Sequence, residues 1–276
     1  APQTDDPFGS PVADTPSGAR TPIWLTGPVE VRRGGQYLVV AAPEAEASLD
    51  VYEDYASLAV PVVDPEVPPW DERLVVEVPR DLASMAEAVG ADEESIASAA
   101  AVTATSDGAD GEDAGAVHVF VNREVFDTLG PRGAALVMNH EAVHVATRAP
   151  GSPAPTWLVE GYADYVALGD AGIPVRRAAA QVAARVRDDG VPDALPSAAD
   201  FDLTGRHAGA TYEAAWLACV VLAEEVGADG LRRVYEAADR GEPLERALAG
   251  STDLDVAALT QRWQERLRQV AGEGPS

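Results

Sequence analysis

The sequence predicts an α+β fold: a first half of mixed strands and helices around a small sheet, then an all-helical second half. Three observations carry this. Short apolar runs with two-residue alternation recur before residue 130, as in Val29 and Val31, or Val117, Val119 and Val121. Beyond that point apolar residues recur at three- and four-residue spacing almost to the end. The chain has 276 residues, 46% hydrophobic and 24% charged, which is enough to bury a real core.

In chain order, residues 1–21, "APQTDDPFGSPVADTPSGART", are rich in Pro, Ser, Asp, Thr and Gly, have no periodicity, and are expected to be a tail or linker. Residues 22–130 are expected to form an α+β subdomain. "PIWLTGPVEVRRGGQYLVVAAP" reads as strand-like, with Gly34-Gly35 turning one strand into the next as a hairpin. "EAEASLDVYEDYASLAVPVV" has helical spacing, with Leu49, Tyr52, Ala56 and Leu58–Ala59 as its apolar face. "ERLVVEVP" is a strand, "RDLASMAEAVG" a short helix closed by Gly90, and "AAVTAT" another strand. "SDGADGEDAG" has the wrong Asp spacing for an EF-hand and no closing Glu, so a solvated loop is expected. "AVHVFVN" is the last strand. Helices are then expected at about 131–148, 157–169, 174–188, 211–226, 229–240, 243–249 and 253–271, which makes 131–276 a helical subdomain.

Forty-six acidic residues face twenty basic ones, all of them Arg, for a net charge of -26. Such a surface repels phosphate backbones and anionic membranes, so nucleic acid is excluded as a partner and the charge is read as solubility. No apolar run approaches the roughly 18 residues that a membrane span needs. The single cysteine, Cys219, permits no internal disulfide and sits in the apolar helical run "AAWLACVVLA", which predicts a buried, inert thiol. The chain begins at Ala1 and not Met, so a trimmed export signal or anchor and an extracytoplasmic location are expected.

Two of the four histidines lie in "NHEAVH". Gly133 to Thr147 reads as one helix with Pro131 at its start. Positions i and i+4 share a helix face, so His140 and His144 can reach one ion. Zinc takes imidazole nitrogen readily, and a catalytic zinc has three protein ligands and one open position. Glu141 lies about a quarter-turn round, where its carboxylate can act on a water as general base without being a ligand, the H-E-x-x-H arrangement of zinc hydrolases. The alternative is a helix with two solvent-facing histidines. Against it stand Met138, Val143 and Val145, which make the segment apolar.

A third ligand is expected on the next helix, "TWLVEGYADYVALG". Pro150, Gly151, Pro153 and Pro155 separate it from the motif and allow the chain to reverse. Glu160 stands 16 positions after His144, Gly161 permits close helix approach, and Asp164 follows Glu160 at i+4 on the same face. Asp164 would then accept a hydrogen bond from the far nitrogen of a ligand histidine. A solvated acidic face is the competing reading, and Trp157, Leu158, Tyr162 and Tyr165 make this an apolar helix for that.

His140-Glu141-x-x-His144 followed by "P-x-W-L-V-E-G-x-A-D-Y" resembles the gluzincin metallopeptidases, in particular the bacterial peptidase-MA-like group. The match is close over 131–170, with weaker echoes in "ATYEAAWLACVVLAEEVGADGLRRVYEA"; the first hundred residues carry none of it. The resemblance implies a zincin-like fold in which both halves form one catalytic domain. It implies one catalytic Zn²⁺ held by His140, His144 and Glu160, Glu141 polarising the water, and a peptide or protein substrate.

An oxyanion donor is also needed, and Tyr212 or His207 in "GRHAGATYEAAW" are the candidates. Tyr212 takes the family-like position at a helix start, with a boundary packing role as the alternative. "VHVFVN", with His118 and Asn122, is a candidate substrate-side strand that pairs with extended peptide, against a purely structural or surface role for His118. Three functions are compatible with these residues: a zinc metallopeptidase, a zinc-holding binding or regulatory protein without catalysis, and a metal hydrolase acting on another bond.

Overall fold

The structure, a computed structural model, describes residues 20–43, 48–63, 67, 73–109, 114–169, 171–203, 205 and 207–272. The expected tail over 1–21 therefore lies almost wholly outside the described residues. The chain divides into two compact units, one running to Gly151 and one beginning at Ser152.

The first unit is built on a five-stranded mixed sheet. β1 (Glu30–Arg33) and β2 (Tyr37–Ala41) form the expected antiparallel hairpin. β3 (Leu74–Val78), β4 (Ala101–Thr105) and β5 (Val117–Val121) complete it, in the order β1-β2-β3-β5-β4. β2, β3 and β5 are parallel, and β4 returns antiparallel along β5. Parallel strands are covered on both faces, which is why β5 is buried at every position although its sequence alternates.

Four-residue helices α1 (Ile23–Thr26), α4 (Glu93–Ile96) and α5 (Arg123–Phe126) stand where no helix is expected, α1 within the segment that reads as strand-like. One turn is too short to show periodicity. α2 (Leu49–Val63) buries Leu49, Tyr52, Ala56, Ala59 and Val63. Leu58, expected on that face, is 59% exposed, because the i, i+3, i+4 row passes it by. Tyr52 donates to Asp127 at 2.6 Å, and burial, with that carboxylate, pushes its phenol well above the ordinary tyrosine range. α3 (Leu82–Val89) starts on Asp81, whose side chain accepts from the Ser84 amide, and stops at Gly90 in the left-handed region. In the acidic loop, Asp107 accepts the amides of Ala109 and Gly115, and these bonds hold its carboxyl below the usual range.

α6 (Pro131–Thr147) carries the H-E-x-x-H segment. It begins with Pro131 in its first turn and ends on Arg148, the one non-glycine with positive φ among the described residues. α6 contacts α2 and strands β3, β4 and β5. The division expected at residue 130 is therefore displaced to Gly151: the motif helix belongs with the sheet it covers and not with the helical part.

The second unit is helical, as expected. α7 (Thr156–Leu168) and α10 (Ala208–Val226) are its closely packed centre, surrounded by α8 (Val175–Ala178), α9 (Ala180–Asp189), α11 (Ala228–Asp239), α12 (Leu244–Ala249) and α13 (Val256–Ala271). The helix expected over 174–188 is broken at Ala179, whose φ of -106° and ψ of 24° leave the helical range. Trp263 is fully buried and donates its indole N–H to the Ala214 carbonyl at 2.8 Å.

α7 and α10 meet at Gly161. A Cβ there would stand 2.4 Å from the Ala215 carbonyl oxygen and 2.9 Å from Cys219 Sγ. Gly161→Ala is expected to lower unfolding stability by about 1–3 kcal/mol, since the overlap is with backbone and outweighs the helix-propensity gain of about 1 kcal/mol. Denaturant midpoints of the two proteins check this; a variant as stable as the parent would mean that the helices do not meet so closely.

Candidate metal centre

α6 places the first two candidate ligands. His140 and His144, one turn apart, are 4% and 0% exposed. Their Nε2 atoms face each other at 2.9 Å, with the rings 4.5 Å apart and nearly perpendicular. Two imidazoles from one helix turn so arranged can aim both lone pairs at one cation.

On α7, Glu160 and Asp164 are each 2% exposed, so the solvated acidic face is not what forms. Gly161 lets α10 approach the turn that carries Glu160. Among the described residues, one group could hold a metal ion: His140, His144 and Glu160, all buried, each offering a ligand atom within 4.8 Å of the others. Two imidazole nitrogens and a carboxylate oxygen are a donor set that zinc accepts.

Glu141 is fully buried. About 100° round α6 from His140, it turns toward β4, where the Thr103 hydroxyl donates to its Oε2 at 2.5 Å. Thr103 has no sequence signal of its own, being one of two threonines in "AAVTAT", 38 positions before its partner.

Tyr212 lies in the first turns of α10, 1% exposed, its ring edge-on to Phe201 at 5.1 Å. The next residue, Glu213, is also buried and accepts the Val182 amide at 2.7 Å, so it caps the start of α9. Cys219 is buried as expected; burial, and then the Asp164 carboxylate, push its thiol well above the usual range. His207 immediately precedes α10, partly exposed, with Nε2 3.7 Å from the Asp189 carboxylate.

The substrate-side reading of "VHVFVN" is corrected. β5 is paired with β3 on one side and β4 on the other, so it has no free edge for a peptide. The register sets Thr103 beside Val119, which puts His118 on the opposite sheet face from the one that meets α6. There His118 Nδ1 is 2.7 Å from Oε1 of Glu77, a buried partner 41 positions away that the sequence does not reveal. Asn122 is equally structural: its side chain donates to the Ala97 carbonyl at 3.3 Å and its amide to that of Ala100 at 2.9 Å.

Comparison with protein-family models and with curated proteins finds no match for this chain.

Proposed function

We propose that the protein is a zinc-dependent hydrolase of peptide bonds. The observation that carries this is the buried group of His140, His144 and Glu160, with Glu141 next to the first histidine and not itself in the group. A site that only held an ion would have no use for a second buried acid at that position.

His140, His144 and Glu160 would hold the ion. When bound, zinc supplies a Lewis acid that polarises the scissile carbonyl and makes water more acidic. Glu141 then accepts a proton from the attacking water as its oxygen bonds to the carbonyl carbon. It returns that proton to the leaving nitrogen as the C–N bond breaks. Asp164, one turn after Glu160, is the candidate carboxylate to orient a ligand histidine through its other ring nitrogen. The hydroxyl of Tyr212 is the candidate donor to the carbonyl oxygen as negative charge grows there.

Metal analysis of the full chain and of Glu160→Ala, coupled to a peptide-library assay, tests the reading. The expected result is one zinc per parent chain, severalfold less in Glu160→Ala, and cleavage that a chelator removes and zinc restores. Zinc unaffected by the substitution would remove Glu160 from the ligand set. A zinc-loaded parent that cleaves no peptide would leave a metal-holding protein without this activity.

A further inference from the structure

The sheet face that meets α6 is apolar at its centre, where Val39, Val76 and Val119 lie side by side in register. Thr103 is next in that row, beside Val119, and is fully buried. Valine has the same shape and would suit this row better, because a buried hydroxyl is costly unless it is hydrogen-bonded. The Thr103 hydroxyl has one proton. At 2.5 Å from Glu141 Oε2, against 3.4 Å from the Glu141 carbonyl, that proton goes to the carboxylate.

We propose that Thr103 is a positioning residue for Glu141, its hydroxyl holding the carboxylate of the general base in one orientation. This rests on the hydrolase reading given above. A glutamate on a helix has three side-chain torsions, and packing alone leaves the last of them loosely defined. Thr103 is itself well fixed: it is β-branched, with a stiff first torsion, and sits in mid-strand beside β5. A rigid strand supplies the reference point, and misplacing such a group by about 1 Å costs on the order of 10²-fold in rate.

The test compares Thr103→Val and Thr103→Ser with the parent, each as the full chain with its metal content measured. Thr103→Val is expected to lower kcat by about 10- to 100-fold, with KM and zinc content unchanged, and Thr103→Ser to restore kcat to within a few-fold. A purely structural hydroxyl would lower stability in Thr103→Val and leave kcat alone, and that result overturns the proposal. Failure of Thr103→Ser to restore kcat, with fold and zinc intact, overturns it as well.

A second measurement needs no turnover. In proton NMR the Thr103 hydroxyl should give a downfield, slowly exchanging signal that is lost in Thr103→Val and shifts in Glu141→Gln. If the parent cleaves nothing but the signal behaves so, the hydrolase reading fails and the contact stands. If the parent cleaves peptides and the signal is absent, the positioning role fails alone.

Discussion

On the proposed hydrolase function, Glu141→Gln is expected to lower peptide hydrolysis by roughly 10²- to 10⁴-fold while zinc stays bound at the parent level. The amide keeps the volume and planarity of the carboxylate, and its oxygen can still accept the Thr103 hydroxyl, so α6 and β4 have no reason to move. What is lost is the ability to take a proton from water. Zinc content by elemental analysis, thermal unfolding and kcat on one cleaved peptide separate these effects. Hydrolysis at the parent rate in a zinc-loaded, folded variant would remove Glu141 from the mechanism.

The largest effect on stability is expected at the other face of the sheet. His118→Leu leaves the Glu77 carboxylate, 1% exposed, without its 2.7 Å partner. Removing one member of a buried pair costs about 3–5 kcal/mol, against a total stability of roughly 5–15 kcal/mol for a native protein. The double variant Glu77→Leu with His118→Leu is expected to recover most of that loss. Val40, Val75, Val102, Ala104 and Phe120 share the face, and two leucines suit such surroundings. Urea midpoints at neutral pH decide it. If His118→Leu alone is as stable as the double variant, the pair does not matter to folding.

What the sequence discloses and what it hides follow a physical division. Local signals are legible: the Gly34-Gly35 hairpin, the stop at Gly90, the buried run around Cys219, and the one-turn spacing of His140 and His144. Each depends on residues within a few positions of one another. Pairings across the fold are not legible. Nothing in "VHVFVN" says that β5 lies between β3 and β4, and that placement is what denies it a substrate. Nothing in "LVVEV" says that its glutamate meets His118. Thr103 is the sharpest case, since its contact with Glu141 exists only once the hairpin of β4 and β5 lies under α6. Leu58 shows the opposite error: it is apolar and close to the right spacing, yet it faces solvent.

Arg148 leaves α6 in the left-handed region at φ 52°, a conformation that costs a non-glycine residue about 1 kcal/mol or more. Its guanidinium spans to the carbonyls of Ala114 and Gly115, at 3.0 and 3.2 Å, in the loop that leads from β4 into β5. The same hairpin grips α6 in its middle through Thr103. A rod fastened at one point can still swivel, whereas a rod fastened at two can neither roll nor slide. The bearing of both imidazoles relative to the strands is thus set mechanically, by two bolts through one hairpin.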